Sequence, residues 1–417
     1  MHGQEGRDAE AVRVLLSEIA PPSSRVTVAG LLAEGRRARR RRRSAAAVTG
    51  VLVLSFAAVG GVSAFDRSSD DGGGQVLSSG AAGTADPSTP CTVTELELPA
   101  KATTGEVNAG SPSGRFLAGF SSVGNALATP VRWDGTRAEP IKVNGPAEAK
   151  DVNDSGVTVG SGQGANGRSV AWAFVDGTVI TLPIPKGYTG AEANAINAHG
   201  DVAGVLFAGD RMAAAVWRGT SANARVDILP AASGATAFGI SDSGVVVGSL
   251  DDGKDSFAHL WNAQGQGSRL TAPAGFGGSG LLGVRGEWAY GVLSRPDERS
   301  GSVPSSTTQR AGDATSPSPE LPTAVNPNVS VVWDLRNGQA SIVSDGAVKA
   351  VNPGGETVVN HEDRTASLRS PDGALRKLPS LPDQDNAHAT ALSDAGTQAA
   401  GTSGQKPVRW QCMKGGK

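Results

Sequence analysis

One nine-residue stretch limits the fold more than any other: Val152-Asn153-Asp154-Ser155-Gly156-Val157-Thr158-Val159-Gly160. Its turn glycine, Gly156, has counterparts at Gly114, Gly200, Gly244, Gly286, Gly355 and Gly396. In chain order the spacings are 42, 44, 44, 42, 69 and 41 residues. Each glycine precedes a short β-prone run, usually closed by another glycine. A fixed period in this range, with strands and no helical pattern, marks a four-stranded propeller blade. Counting turns predicts an all-β, seven-bladed β-propeller; six or eight blades are the neighbouring solutions.

The chemistry of one unit agrees. Before each turn lies an Ala-rich run ending in an aliphatic, as in Ala149 to Val152, Ala193 to Ile196 and Ala389 to Leu392. Strands crowded round an axis need small side chains, so this run is the innermost strand. Asn, Asp or Ser then opens a hairpin turn, and Gly closes it in the left-handed conformation. A second strand follows, such as Val245 to Val247. A third ends in an aromatic: Trp133, Trp217, Trp261, Trp333 and Trp410. Five of the seven tryptophans at one repeat position predict blade-to-blade packing. The fourth strand often ends in Leu-Pro, as at Leu182-Pro183, Leu229-Pro230 and Leu378-Pro379; proline suits a strand end or outer edge.

Unit five is the least faithful, and unit six carries Ser367-Leu368-Arg369 where the others have Trp. Unit seven stops after Trp410-Gln411-Cys412 with no fourth strand. Residues 92–98, closed by Leu98-Pro99, form a fourth strand without the other three, so they are expected to complete the last blade. Cys91 and Cys412, the two cysteines of the chain, then meet and bond in an oxidising exterior. The long spacing reflects a Ser/Pro/Thr-rich insertion at 295–326, read as a disordered loop within unit five.

Ala-rich strand, Asn/Asp-x-Gly turn and aliphatic-Trp together resemble the bacterial extracellular repeats named for a His-Ala-Phe signature, and propeller-like repeats generally. The resemblance covers residues 91–412. The tripeptide itself is absent; Phe257-Ala258-His259-Leu260-Trp261 comes nearest. Such repeats specify architecture and leave activity open.

The N-terminal quarter differs in kind. Residues 1–43 hold ten Arg against five acids, while the rest of the chain is acidic by seven charges. Val12, Leu15, Leu16 and Ile19 form a short helical stripe, and seven Arg crowd positions 36–43. Residues 44–65 carry no charge. As a helix they reach about 33 Å, against about 30 Å of hydrocarbon. The preceding Arg cluster predicts a single-pass membrane anchor with a cytoplasmic N-terminus and an extracellular C-terminal domain. A cleaved signal peptide ending near Val62-Ser63-Ala64 is the rival reading. Residues 66–90 read as a flexible stalk. The layout is similar to that of actinobacterial anti-sigma regulators, without their zinc-binding His/Cys signature, and implies a cytoplasmic protein partner for residues 1–35. No aromatic interleaving of the Arg run supports nucleic-acid binding.

Chemistry is sparse. The five histidines make no zinc-type spacing, and no phosphate-cradling glycine loop appears. The expectation is no catalytic residue, no metal and no cofactor. A ligand, if bound, belongs in the central funnel. Positions three and five residues before each turn's first residue line it: Glu148 and Lys150, Glu192 and Asn194, Thr236, Lys349, and His388 with Thr390. That ring either binds a polar ligand or solvates a water-filled channel. Three functions follow: a membrane-anchored binding or sensing module for a protein, peptide or glycan; a propeller hydrolase or lyase acting in the funnel; or a structural envelope protein.

Overall fold

A computed structural model describes residues 91–124, 128–164, 166–231, 234–251, 256–295 and 328–413. The cytoplasmic segment, span and stalk expected over 1–90 lie outside the described residues, as does the insertion from residue 296 onward. Among the described residues no helix is long and apolar enough to cross a membrane.

Seven four-stranded antiparallel sheets make up the described chain. Blade one is β2–β5 (Thr104–Gly110, Phe116–Ser122, Thr129–Asp134, Arg137–Pro140). Blade two is β6–β9 (Ala147–Val152, Thr158–Gln163, Ser169–Val175, Thr178–Thr181). Blade three is β10–β13 (Gly190–Ile196, Val202–Ala208, Arg211–Arg218, Arg225–Ile228). Blade four is β14–β17 (Gly234–Ile240, Val246–Asp251, Ser256–Trp261, Gly267–Arg269). Blade five is β18–β21 (Gly278–Arg285, Trp288–Ser294, Asn328–Asp334, Gln339–Val343). Blade six is β22–β25 (Ala347–Val351, Thr357–Asn360, Ala366–Arg369, Leu375–Leu378). Blade seven joins β26–β28 (His388–Leu392, Gln398–Ser403, Lys406–Cys412) to β1 (Cys91–Glu95), the first described strand. The first strands of successive blades touch all round the ring, from β2 to β26 and back to β2.

All seven ruler glycines have positive φ, between 56° and 82°. The first residue of the turn is buried. Asn153 Oδ1 accepts from the backbone N–H of Ser155 and Val157, and its amide donates to Asn197 O in the next blade at 3.1 Å. Asn197 repeats this toward Ser241 O at 3.2 Å. The turns therefore shape each hairpin and also tie blades together. Blade five departs from this: Arg285 pairs with Trp288 across a two-residue turn.

The glycine closing the motif has a different cause. Every first strand carries a β-bulge, at Ala149/Asp151 in blade two and Ala193/Ala195 in blade three, for example. A Cβ on Gly160 would lie 2.0 Å from Glu148 O, and one on Gly204 2.0 Å from Glu192 O. The bulge presses a carbonyl onto the second strand and leaves no room for a side chain. Gly204→Ala is accordingly expected to cost about 1–3 kcal/mol or more by overpacking. A urea midpoint equal to that of the unmodified chain would refute this.

Cores lie between blades. Ala214, Val216 and Leu229 of blade three pack with Ala235, Ala237 and Trp261 of blade four. Trp133, Trp217, Trp261, Trp333 and Trp410 are all fully buried. Four indole N–H groups donate backwards to the preceding blade's outer strand end: Trp133 to Glu97 O, Trp217 to Pro183 O, Trp261 to Pro230 O and Trp410 to Pro379 O, at 2.7–2.9 Å. Phe174 takes the aromatic position in blade two, and in blade six the register puts Arg369 there.

β1 completes blade seven in register, with Cys91 opposite Cys412, and the two sulfurs are bonded. The expected closing residues shift by two. Leu96, 2% exposed, takes the core place that Leu182 and Leu229 fill elsewhere, and Glu97 supplies the carbonyl that Pro183 and Pro230 supply. Leu98-Pro99 lies beyond it.

Candidate functional site

An inner strand has a partner strand behind it and neighbouring blades on both flanks. Away from its ends, its side chains reach solvent through the axial channel. Each inner strand starts at one face of the disc, here the entry face, and ends at the glycine face where its hairpin turns.

The sequence-predicted residues occupy two levels of this channel. Nearer the entry face are Glu148 on β6, Glu192 on β10, Thr236 on β14 and His388 on β26. One step deeper, at the bulges, are Lys150, Asn194, Lys349 and Thr390. The offsets also select Glu106 and Asn108 on β2, counted back from Ser111, which the sequence reading passed over. Phe238 and Leu282 fill the bulge level on blades four and five. Leu282 is 40% exposed, an apolar side chain left open in the channel.

Part of the bulge level is committed to joining blades. Thr390 Oγ donates to Val107 O at 2.6 Å, Asn108 Nδ2 to Ala149 O at 2.9 Å, and Asn194 Nδ2 to Ala237 O at 2.8 Å. Lys150 Nζ instead reaches Asn194 Oδ1 at 3.1 Å and Glu192 Oε2 at 3.4 Å. Glu192 Oε1 accepts from Ser169 Oγ at 3.2 Å.

The remaining groups have no such partners. Among the described residues, Glu106, Glu148, Lys349 and His388 make no side-chain hydrogen bond or ion pair. They feel one another nonetheless. Burial raises the Glu106 carboxyl, Glu148 raises it further, and Lys349 opposes. Burial lowers the Lys349 ammonium, with Glu106 opposing. Burial and then Lys349 depress His388 to about 4. An imidazole whose pKa falls from 6.5 to about 4 on folding binds fewer protons folded than unfolded between those values. Its contribution to stability is therefore complete above about 6.5 and is lost as pH falls toward 4. Burial pushes the half-buried Asp151 carboxyl up to about 6, which acts in the opposite sense over an overlapping range. His388→Gln is expected to reduce the acid-side loss of stability between pH 6.5 and 4. Thermal melts across that range check it, and an unchanged pH dependence would contradict it.

The glycine-face end is spanned by charge. Arg285 Nε of blade five lies 3.2 Å from Asp394 Oδ1 of blade seven, across the turn of blade six. Asp151 and Asp154 of blade two also feel Arg285. Asp151 is fixed by the backbone N–H of Ile196, at 2.8 Å, and of Val152.

Two further histidines, His259 and His361, are held by structural contacts. His259 stacks edge-on against Trp261, with ring centroids 4.6 Å apart, and is buried. His361 bridges Asp345 O and Ser367 Oγ. Among the described residues no three His, Cys, Asp or Glu are grouped to hold a metal ion.

Fold and channel define a seven-bladed β-propeller with a mixed-charge axial cavity. No family model matches the chain, and no curated protein matches it. Among solved structures, selenomethionine-substituted virginiamycin B lyase from Staphylococcus aureus aligns at 8% identity with a TM-score of 0.48, over 78% of this chain and all of that one. YCF48 bound to D1 peptide aligns at 14% identity with a TM-score of 0.46, over 80% of this chain and all of that one. Neither likeness bears on the ligand or chemistry of this chain.

Proposed function

We propose that the chain is a membrane-anchored, extracytoplasmic binding or sensing module that takes its ligand at the entry-face mouth of the axial channel. The observation that carries this is the group of uncommitted polar side chains at and just below it: Glu106 and Glu148 on blades one and two, Lys349 and His388 on blades six and seven. Leaving such groups without partners costs stability when they are partly buried. A protein, peptide or glycan offering polar groups at the mouth would satisfy them, and Leu282 would meet an apolar part of it.

The anchor reading rests on the sequence of residues 1–65. The described chain starts at Cys91, whose partner Cys412 ends β28 at the glycine face. The insertion is rooted where Ser294 pairs with Asn328, on the entry face beside the mouth.

The test compares the full chain with a Glu148→Gln, Lys349→Gln variant, each recovered from its own membranes. Mass spectrometry then reads the molecules retained. At least a tenfold loss of a retained molecule in the variant is expected, about 1.4 kcal/mol or more. Equal retention would overturn the binding reading. A retained molecule that the unmodified chain converts, and the variant does not, would replace it with the hydrolase or lyase reading. An envelope defect on deletion with nothing retained would replace it with a structural role. Deleting residues 1–35 tests sensing: an unchanged transcriptional response removes that part.

A further inference from the structure

Three bulge residues hold the next blade by its backbone carbonyl, whereas Lys150 reaches into a side-chain amide with a carboxylate beside it. We propose that Lys150 and Asn194 condense into an intramolecular isopeptide bond, joining the inner strands of blades two and three, with Glu192 as proton carrier. This inference is independent of any ligand.

Amine, amide and carboxylate meet because they sit on facing inner strands. Lys150 is the bulge residue of β6, Asn194 that of β10, and Glu192 lies two residues before Asn194. Nζ donates to the amide oxygen at 3.1 Å, which holds the amine against the atom bonded to the Cγ it attacks. Asn194 cannot swing freely, because its Nδ2 donates to Ala237 O at 2.8 Å. That bond turns Oδ1 toward Lys150. Glu192 is held by Ser169 Oγ on one oxygen and lies 3.4 Å from Nζ with the other. The Lys150 and Glu192 side chains are only 23% and 14% exposed. Partial exclusion of water strengthens the coupling of the three groups.

The step balances without an oxidant or cofactor. Glu192 takes a proton from the Lys150 ammonium, and the freed lone pair attacks Asn194 Cγ. The C=O electrons move to Oδ1. They return as the Cγ–Nδ2 bond breaks, and the leaving nitrogen collects the proton from Glu192 and a second proton from Nζ. One ammonium ion leaves, one amide replaces an amine and a primary amide, and Glu192 ends as it began. The Asn194 hydrogen bond to Ala237 O is given up in exchange for a covalent tie between the blades.

The experiment is a tryptic map of the full chain, purified in detergent, reduced and denatured. A linked Lys150 resists trypsin, so the expected product is a branched species joining residues 143–168 to 187–211. Its mass is the sum of the two peptides less one ammonia. Lys150→Arg should abolish it while keeping the charge. Glu192→Gln should slow its formation by about 100-fold, the lower end for a positioned acid–base group. Should either variant fail to fold, the map of the unmodified chain still decides. Free 151–168 and 187–211 at full yield after prolonged incubation of the folded protein would overturn the proposal, and so would undiminished branching in Lys150→Arg.

Discussion

A chain carrying Cys91→Ser and Cys412→Ser is expected to lose up to about 5 kcal/mol of stability, because the bond closes a loop spanning nearly the whole propeller. The two cysteines are separated by 321 residues. What they hold is a short edge strand: β1 is five residues long and pairs only with β28. The ion pair from Lys406 to Glu95 across the same two strands, at 3.0 Å, is exposed and contributes little. Release of β1 would also withdraw Leu96 from the core and Glu97 O from the indole of Trp133. Blade seven and its contact with blade one would loosen together. Denaturant titrations with and without reductant measure the effect on the unmodified chain, and the double serine variant should match the reduced form. A midpoint that ignores reductant would mean that the ring closes by strand pairing alone.

Blade count, ring closure and the disulfide were legible because each rests on a local requirement. A turn needing positive φ selects glycine at every repeat, whatever surrounds it. Blade-to-blade packing likewise selects a large aromatic at the end of the third strand. The same logic misassigned Leu98-Pro99, because proline marks a strand end without being the packing residue; Leu96 is. Phe174 escaped for a related reason, since the position asks for a large apolar side chain and not for indole itself. Counting back from each turn put residues on the inner strands and at their bulges, and Glu106 and Asn108 needed only the same count from Ser111. What the count could not supply is which side chains are spent on neighbours. Lys150 and Lys349 occupy equivalent bulge positions. Lys150 is engaged because blade three places Asn194 and Glu192 opposite it, and Lys349 is not because blade seven offers Thr390 and His388. That difference lies between repeats, and periodicity within one repeat is blind to it. The bulge was equally hidden, although its consequence, the closing glycine, was in plain view.

Truncating a repeat tryptophan should bring the other large loss, and comparing two of them separates packing from hydrogen bonding. Trp217→Ala is expected to cost about 3–5 kcal/mol, as for other large aromatics removed from cores. Its ring is fully buried, packed against blade two through Ala171, Ala173 and Leu182. Trp333 is equally buried at the equivalent place in blade five, but its indole N–H has no acceptor among the described residues. Replacement by Phe removes the N–H in both cases and keeps most of the ring. At Trp217 this leaves Pro183 O without the donor it has at 2.8 Å; at Trp333 it removes a buried donor that was already unsatisfied. Trp333→Phe should therefore be milder than Trp217→Phe by about 1–3 kcal/mol. Urea midpoints of the two phenylalanine variants decide it, with the two alanine variants giving the loss of ring and N–H together. Equal losses in the phenylalanine pair would show that the indole-to-carbonyl bond between blades adds nothing beyond the volume of the ring.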